Sequence, residues 1–429
     1  MERYNEYRDS NVQWIGEIPS HWEQRRVRYT GKSRNGLTYS PYDVSEDGQG
    51  ILVLRSSNIQ DGKLLLDDNV YVKKEISPEL MVKKGDILIC SRNGSRDLVG
   101  KLTMIDRDIN ASFGAFMMIY RTYMWAPFME KVLSVAIQSY KTLFSTSTIN
   151  QLTNDIFKDF VIPIPPLAEQ EMIVSYLDSK TSKIDVYVAD KEKEIQLLQE
   201  LKQKTIAEAV TKGLNPNVKM KEYNSLISSQ CPEHWKIMRN KSFLSLKGEK
   251  VGNRTNEYTL LSLTTKGVIV RDLESGKGKF PKEFDTYQIV KKDDLVFCLF
   301  DIDETPRTVG LVDTEGMITG AYTALKVNQS IALPEYVYRY YLCVDDIKAL
   351  KPYYSGLRKT VRADKFLQLY LPLPPLDEQQ AIVAYIEEKC QKIDTLITEL
   401  QAEIDYLKEY KQRLIADVVT GQVNVQNEK

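Results

Sequence analysis

Side chains able to hydrogen-bond the edges of bases gather in short loops of this chain, whereas groups that could make or break covalent bonds do not gather at all. Reading a major groove takes Arg, Lys, Asn, Gln and Ser/Thr side chains on positioned loops, with basic neighbours for the phosphates. In the first half the candidates are Arg55, Ser57 and Asn58, then Arg92, Asn93, Ser95 and Arg96, then Thr146, Ser147, Thr148, Asn150 and Gln151. In the second they are Thr264, Thr265, Lys266 and Arg307, then Tyr353, Tyr354, Ser355, Arg358, Lys359 and Arg362. The last group lies ahead of Pro372 much as the Ser/Thr run lies ahead of Pro163. For any single one of them, ordinary surface solvation is the plain alternative.

The missing chemistry is as informative. No Gly-x-x-x-x-Gly-Lys-[Ser/Thr] loop occurs, and Gly276-Lys277-Gly278-Lys279 has the wrong spacing for one. There is no Gly-x-Gly-x-x-Gly. The Asn/Asp-Pro-Pro-aromatic motif of amino-methyltransferases is absent too, because both Pro-Pro pairs run into Leu and the single Asn-Pro is Asn215-Pro216-Asn217. No Pro-Asp starts a nuclease motif, Asp61-Gly62-Lys63 alone is very weak, and no Ser/His/Asp or Cys/His signature is readable. Five scattered cysteines (Cys90, Cys231, Cys298, Cys343, Cys390) without a Cys-x-x-Cys pair read as reduced thiols in a cytoplasmic protein. With two histidines, a zinc site is not expected. The chain reads as a reader and a spacer with no catalytic centre, metal or cofactor of its own.

The elements that must position the loops come in duplicate. Pro163–Thr211 begins Pro-Ile-Pro-Pro-Leu-Ala-Glu-Gln and Pro372–Thr420 begins Pro-Leu-Pro-Pro-Leu-Asp-Glu-Gln, at a constant offset of 209 residues. The match needs no gap and includes Lys183-Ile184-Asp185 against Lys392-Ile393-Asp394. A gapless repeat of this length marks a tandem duplication. Both histidines sit in a second repeated element, Pro19-Ser20-His21-Trp22 and Pro232-Glu233-His234-Trp235. We read it as an aromatic anchor seating the start of each domain rather than as a catalytic pair. Val82–Cys90 aligns with Val290–Cys298, Val99-Gly100 with Val309-Gly310, and Gly114-Ala115-Phe116 with Gly320-Ala321-Tyr322. Between these anchors the loops differ in length and chemistry, as in modules reading different targets.

At 429 residues, with 42% hydrophobic and 27% charged residues, the chain can build several soluble cores. No 18-residue apolar run exists, so no membrane span is expected, and the N-terminus lacks the apolar core of a signal peptide. The net charge of −1 conceals a segregation. Residues 1–162 carry 21 Lys+Arg against 20 Asp+Glu and residues 216–371 carry 24 against 19, whereas 163–215 carry 7 against 9 and 372–429 carry 6 against 11. Nucleic-acid contact, if there is any, belongs to the two unique segments.

Short apolar runs, Ile51–Leu54, Leu64–Leu66, Ile87–Cys90 and Ala115–Tyr120, alternate with turn signals and predict a twisted, mostly antiparallel sheet, with a helix over Phe128–Thr142. The repeated tails predict long helices. The prolines disfavour helix before Leu167 and Leu376, Asp377 is an N-cap candidate, and Gly213 and Gly421 mark the ends. Ile382, Ile386, Ile393, Ile397, Leu400, Ile404, Leu407 and Leu414 recur at coiled-coil steps; Ile173, Leu177, Ile184, Val188, Ile195 and Leu198 share their phase. Lys191 and Thr205 stand where Leu400 and Leu414 sit, which weakens the first seam. About 45 residues of helix make a rod of roughly 65 Å. The expected fold is α+β, with two α/β domains (1–162 and 216–371) separated by two helices (163–215 and 372–429). Those helices are expected to pair with each other, antiparallel as a coiled coil with internal pseudo-twofold symmetry, the plain alternative being pairing with another chain.

The entry Trp14-Ile15-Gly16-Glu17-Ile18-Pro19-Ser20-His21-Trp22, the paired Pro-x-Pro-Pro-Leu-x-Glu-Gln junctions and the long helices with Lys-Ile-Asp near their starts resemble the specificity subunit of type I restriction–modification systems. The resemblance covers essentially the whole chain. It implies two target-recognition domains, each reading one half of a bipartite double-stranded DNA site, and helices that set the gap between the halves. It also implies two methylation subunits docked on the helical region, bringing S-adenosylmethionine and adenine-N6 chemistry. Restriction subunits, where present, would add ATP- and Mg²⁺-dependent translocation and cleavage. The alternatives are a methyltransferase-only complex, an enzyme with an unrecognised nuclease or methyltransferase site, and a coiled-coil scaffold with no DNA role.

Overall fold

The computed structural model describes residues 2–141, 150–271 and 284–426. Its α-helices are α1 (Ala126–Ser139), α2 (Asn154–Lys158), α3 (Leu167–Lys212), α4 (Pro334–Asp346), α5 (Ala363–Gln368) and α6 (Leu376–Val419). The chain falls into two compact units, Met1–Lys191 with Ala402–Lys429, and Glu192–Gln401. Each unit therefore takes one α/β domain, half of α3 and half of α6.

In the first unit a four-stranded antiparallel sheet runs in the order Leu102–Met104, Ile87–Cys90, Met117–Thr122, Gly31–Asn35. The apolar run Ile87–Cys90 is buried at every position, as a central strand covered on both faces must be. Beside it, Ala111–Phe113 pairs parallel with Ile51–Leu54, which pairs antiparallel with Val70–Val72. The expected Ala115–Tyr120 strand lies two residues later, because Ala115 and Phe116 form a turn that Met117 N–H closes on the Gly114 carbonyl at 2.8 Å. Helix α1 covers the sheet with Phe128, Met129, Val132, Leu133, Ala136 and Ile137. It starts earlier than Phe128 because Pro127 suits a first turn. It comes so close that a Cβ on Gly100, whose φ is +91°, would stand 2.5 Å from the Ile137 side chain.

The second unit repeats the plan. Its sheet runs Val309–Leu311, Leu295–Phe297, Thr323–Val327, Leu244–Leu246, again antiparallel throughout. Helix α4 takes the place of α1 but packs with Tyr336, Tyr340 and Tyr341. The Lys-Lys-x-Asp turn ahead of the central strand is closed identically in both units. Lys83 N–H donates to Asp86 at 2.8 Å and Lys291 N–H to Asp294 at 2.7 Å. The cation that neutralises the buried carboxylate comes from different places, Arg121 in one unit and Lys247 in the other.

The helices pair antiparallel inside each unit. In the first, Lys411 reaches Asp185 at 2.5 Å and Lys191 reaches Glu403 at 3.0 Å, while Ile173, Leu177, Ile184, Val188, Ile404 and Leu414 are buried. In the second, Lys202 reaches Asp394 at 2.6 Å, with Ile382, Ile386, Ile393 and Leu400 buried. Ile195, Leu198, Ile397 and Leu407 are half-buried. Asp185 and Asp394 are the aspartates of the repeated Lys-Ile-Asp triplet, and Lys202 and Lys411 also stand 209 apart. One ion pair is thus made twice. The polar interruptions in the first seam are accommodated too. Lys191 directs its ammonium to Glu403, and Thr205 donates its hydroxyl to the Leu201 carbonyl one turn back. Helix α6 begins at Leu376, so Asp377 lies in the first turn rather than at the cap, where its charge still complements the helix dipole.

Candidate nucleic-acid interface

The repeated motifs meet to lock each domain onto its helices. The amides of Gln170 and Gln379, both buried, donate at 2.8 Å to the carbonyls of Pro165 and Pro374, closing each Pro-Pro-Leu-x-Glu-Gln turn. The neighbouring glutamates receive the histidines. His21 Nε2 lies 2.6 Å from Glu169 and His234 Nε2 lies 2.7 Å from Glu378. Glu169 also accepts from Trp22 Nε1 at 2.9 Å and from the Tyr4 hydroxyl at 3.1 Å. Burial, with the Glu169 charge beside it, pushes the Tyr4 phenol well above its ordinary range. The helix ends close the lock from the other side. Gly421 packs on Pro19 and Trp22, Gly213 packs on Trp235 and Glu378, and both glycines hold positive φ (+76° and +73°). Both histidines therefore serve as anchors. Their glutamate partners lie 148 and 144 residues away, and sequence reading did not connect them.

Beyond this frame, each unit presents a loop after its central strand, pinned by the segment that precedes the proline junction. In the first unit Leu152 N–H donates to the Ser91 carbonyl at 2.8 Å; in the second Val361 N–H donates to the Leu299 carbonyl at 2.8 Å. This brace brings together part of each candidate set; Thr264, Thr265 and Lys266 stand apart from it, on the turn between Leu261–Thr264 and Gly267–Val270. Arg92, Asn93, Ser95 and Arg96 lie beside Asn150 and Gln151, with an antiparallel bridge from Arg92 to Gln151. Asn93 reaches Ser56 at 3.3 Å and so ties in the loop of Arg55, Ser57 and Asn58. In the second unit Asp301 N–H donates to the Arg358 carbonyl at 2.9 Å, joining the 300–307 loop to Tyr353–Arg362.

The candidates are not equally available. Arg92, Ser95, Arg96, Thr265, Lys266, Ser355, Arg358 and Arg362 are exposed. Asn58 is a correction: it is fully buried, accepting from Arg55 N–H and donating to the Leu65 carbonyl, so it shapes its loop from within. Arg307 also turns inward, 3.9 Å from Asp345 and 3.6 Å from Asp346. The Thr264 hydroxyl closes its own turn on Gly267. Arg55 is held by Asp68 at 2.8 Å, and Ser57 Oγ is buried. Tyr354 lies against Asp303, and Lys359 pairs with Asp303 and Glu304. Thr146, Ser147 and Thr148 lie outside the described residues.

Aromatic rings that composition alone could not single out organise both loops. In the first unit the Arg92 guanidinium lies over the exposed Phe116 ring, 5.3 Å from its centroid. At the corresponding place in the second unit Phe300 stacks on Tyr322 with centroids 6.1 Å apart, and Arg358 lies over Phe300 at 5.2 Å. The available signal was the alignment of Phe116 with Tyr322. Such arginine-on-ring arrangements leave the guanidinium edge free to donate outward while holding its plane.

Among the described residues no group of three or more His, Cys, Asp and Glu side chains could hold a metal ion. All five cysteines are free and buried, and burial raises the Cys90 thiol to about 11 and the Cys343 thiol to about 12. Among the described residues no helix is long and apolar enough to cross a membrane.

Two stretches of the chain, residues 19–197 and 232–406, match the family described as the type I restriction modification DNA specificity domain. The chain is 24% identical over 437 residues to the type I restriction enzyme EcoKI specificity subunit of Escherichia coli (strain K12), covering 96% of this chain and 91% of that one. It is 25% identical over 447 residues to the type I restriction enzyme StySPI specificity subunit of Salmonella potsdam, with the same coverage of 96% and 91%. A solved chain from work described as the structural basis underlying complex assembly and conformational transition of the type I R-M system superposes with a TM-score of 0.68 at 15% identity, over 95% of this chain and 99% of that one. At that identity the likeness speaks to the fold.

Proposed function

The chain belongs to the type I restriction modification DNA specificity family, with two copies of the family domain, and on that footing we propose that its two domains read the two halves of a split double-stranded DNA target. The observation that carries this reading is one frame built twice with different loops. The latch, the Asp-capped turn, the four-stranded sheet and the helix ion pair recur. The loops braced on the central strand, Ser91–Arg96 with Gln151 and Leu299–Arg307 with Tyr353–Arg362, share their place and not their chemistry. Bases would be read from the exposed members, Arg92, Ser95 and Arg96 in one half and Ser355, Arg358 and Arg362 in the other.

In this reading the chain contributes no catalytic group and works in the cytoplasm. S-adenosylmethionine, ATP and Mg²⁺ belong to partner subunits. Two methylation subunits are supported by exposed apolar positions that repeat at the 209-residue offset: Tyr187 with Leu396, Leu197 with Tyr406, and Leu201 with Tyr410. Large apolar side chains left in water at duplicated places suit two copies of one partner. Restriction subunits would join that assembly. The length shared by α3 and α6 would set the number of unread bases, so adding a turn to both should lengthen the spacer and leave both half-sites intact.

Sequencing methylated adenines in the host before and after deleting the gene tests the proposal. A split motif should vanish on deletion, and an unchanged methylome would overturn it. The purified chain, incubated alone with DNA, S-adenosylmethionine and Mg²⁺, should modify and cut nothing.

A further inference from the structure

Leu357 is the most exposed large apolar side chain among the described residues, with a relative accessibility of 103%. It stands at the tip of a tight hairpin whose arms are joined by reciprocal bonds, Ser355 N–H to the Thr360 carbonyl at 3.0 Å and Thr360 N–H to the Ser355 carbonyl at 3.1 Å. The turn needs left-handed backbone at Gly356 (φ +73°) and at Lys359 (φ +43°). The hairpin is braced on both sides. Arg358 lies over the Phe300–Tyr322 stack, and its carbonyl accepts from Asp301 N–H. Val361 is bonded to Leu299, and the Lys359 ammonium lies 3.4 Å from Asp303 and 3.2 Å from Glu304. Two largely exposed arginines follow the tip, each with a carboxylate beside it: Arg358 lies 3.7 Å from Asp301 and Arg362 lies 3.0 Å from Asp364.

An isolated leucine on a surface is ordinary, but one at the summit of a rigid hairpin is placed to enter something. The surroundings select the occupant. The hairpin belongs to the segment proposed to read bases, and the arginines that follow its tip can meet base edges and the phosphates beside them. An apolar wedge held on a rigid turn beside cations can part stacked base pairs, where unstacking is offset by the surface a bent duplex brings into contact. A second protein would also cover a leucine, but the hairpin's place beside the braced loop, with the Arg358 and Arg362 side chains 75% and 70% exposed despite their carboxylate neighbours, favours a polyanion.

Building on the reading above, we propose that Leu357 inserts between base pairs at or beside the half-site read by the second domain, opening one base step and bending the duplex there. Specificity at that step then comes from how easily the sequence unstacks, without a hydrogen bond to either base.

The test uses the complex with its methylation subunits and a duplex carrying the motif found by methylome sequencing. Because Leu357 is exposed, Leu357→Ala should fold and assemble normally, and co-elution with the methylation subunits verifies this. The variant should bind the intact duplex about tenfold more weakly, with the salt dependence unchanged, since no charge is removed. Arg358→Ala should flatten the salt dependence instead. A single mismatch moved through the second half-site and its flank should tighten wild-type binding at one step, because the unstacking is already done, and should not tighten binding by Leu357→Ala. A 2-aminopurine next to that step, away from the methylated adenine, should brighten with wild type alone. Equal binding by wild type and variant, with no mismatch that helps, overturns the wedge. Loss of co-elution in Leu357→Ala also overturns it, by assigning the side chain to a protein interface. Failure of the wild-type complex to bind the motif duplex at all would overturn the DNA-reading proposal itself, and with it the wedge.

Discussion

The two recognition domains agree where they meet the helices and part company where they face outward. At the proline junctions Gln170 and Gln379 make the same bond at the same distance, and Asp185 and Asp394 receive equivalent lysines. At the ends of the central strands, Arg92 covers Phe116 in one domain, while Phe300 intervenes between Tyr322 and Arg358 in the other. The cation is carried one ring further along. The repeated residues hold the frame, and the loops carry the larger divergence.

The cores also differ in chemistry, and alkaline pH should expose this most strongly. Helix α1 buries aliphatic and phenyl groups, whereas α4 buries Tyr336, Tyr340, Tyr341 and Cys343. Burial raises all four of these groups, Cys343 to about 12. Each keeps its proton when folded and sheds it when unfolded, so between the ordinary value near 9 to 10 and the folded one the unfolded chain binds fewer protons and stability falls. That contribution is complete below about pH 9 and is lost as pH rises towards the folded values. The first unit has fewer such groups among the described residues: Tyr4, raised furthest, with Cys90 (about 11) and Tyr120 (about 12). Subtilisin digestion mapped by mass spectrometry should therefore release second-domain peptides first as pH climbs from 8 to about 10.5. Simultaneous release would break this contrast.

The latches form a second unequal pair. Glu169 is buried and serves Tyr4, His21 and Trp22, whereas Glu378 is a quarter exposed and receives His234. Glu169→Ala should destabilise by about 3 kcal/mol, because it strands buried donors. Glu378→Ala should cost about 1 kcal/mol or less, as expected of an accessible pair. Denaturant unfolding of the two variants checks the ranking, and equal losses would contradict it.

On the reading side, Arg92→Ala should weaken binding by about 1–3 kcal/mol and relax one position in one half-site only. Competition binding with single-base variants of the target reads this out. The duplicated ion pair should show the smallest effect. Lys202→Met and Lys411→Met should each shift stability by less than about 1 kcal/mol, and by similar amounts, because both ammonium groups stay partly in water.

Much of the frame was legible in the sequence because it is written twice. A constant offset revealed the duplication, and spacing revealed the helices and most of the seam. The strands around Ile87–Cys90 followed from apolar runs between turns. The latch was not legible: Pro-x-His-Trp and Leu-x-Glu-Gln were each visible, but nothing local says that a histidine meets a glutamate 148 residues on. Nor does residue type separate a reading side chain from one that shapes a loop. Asn58 and Arg92 are equally suited to bases on paper, and only burial distinguishes the asparagine tied to Leu65 from the arginine lying on Phe116. The rings beneath the cations were missed for the same reason, since an exposed Phe and a core Phe look alike in composition.

The central claim is that each domain reads its own half of the target. It is tested most directly by replacing residues 1–162 with the matching domain of a relative and sequencing the adenine methylome of cells carrying the hybrid. The account predicts a motif in which one half changes while the other half and the spacer stay as they were. Both halves changing together, or neither, would contradict it.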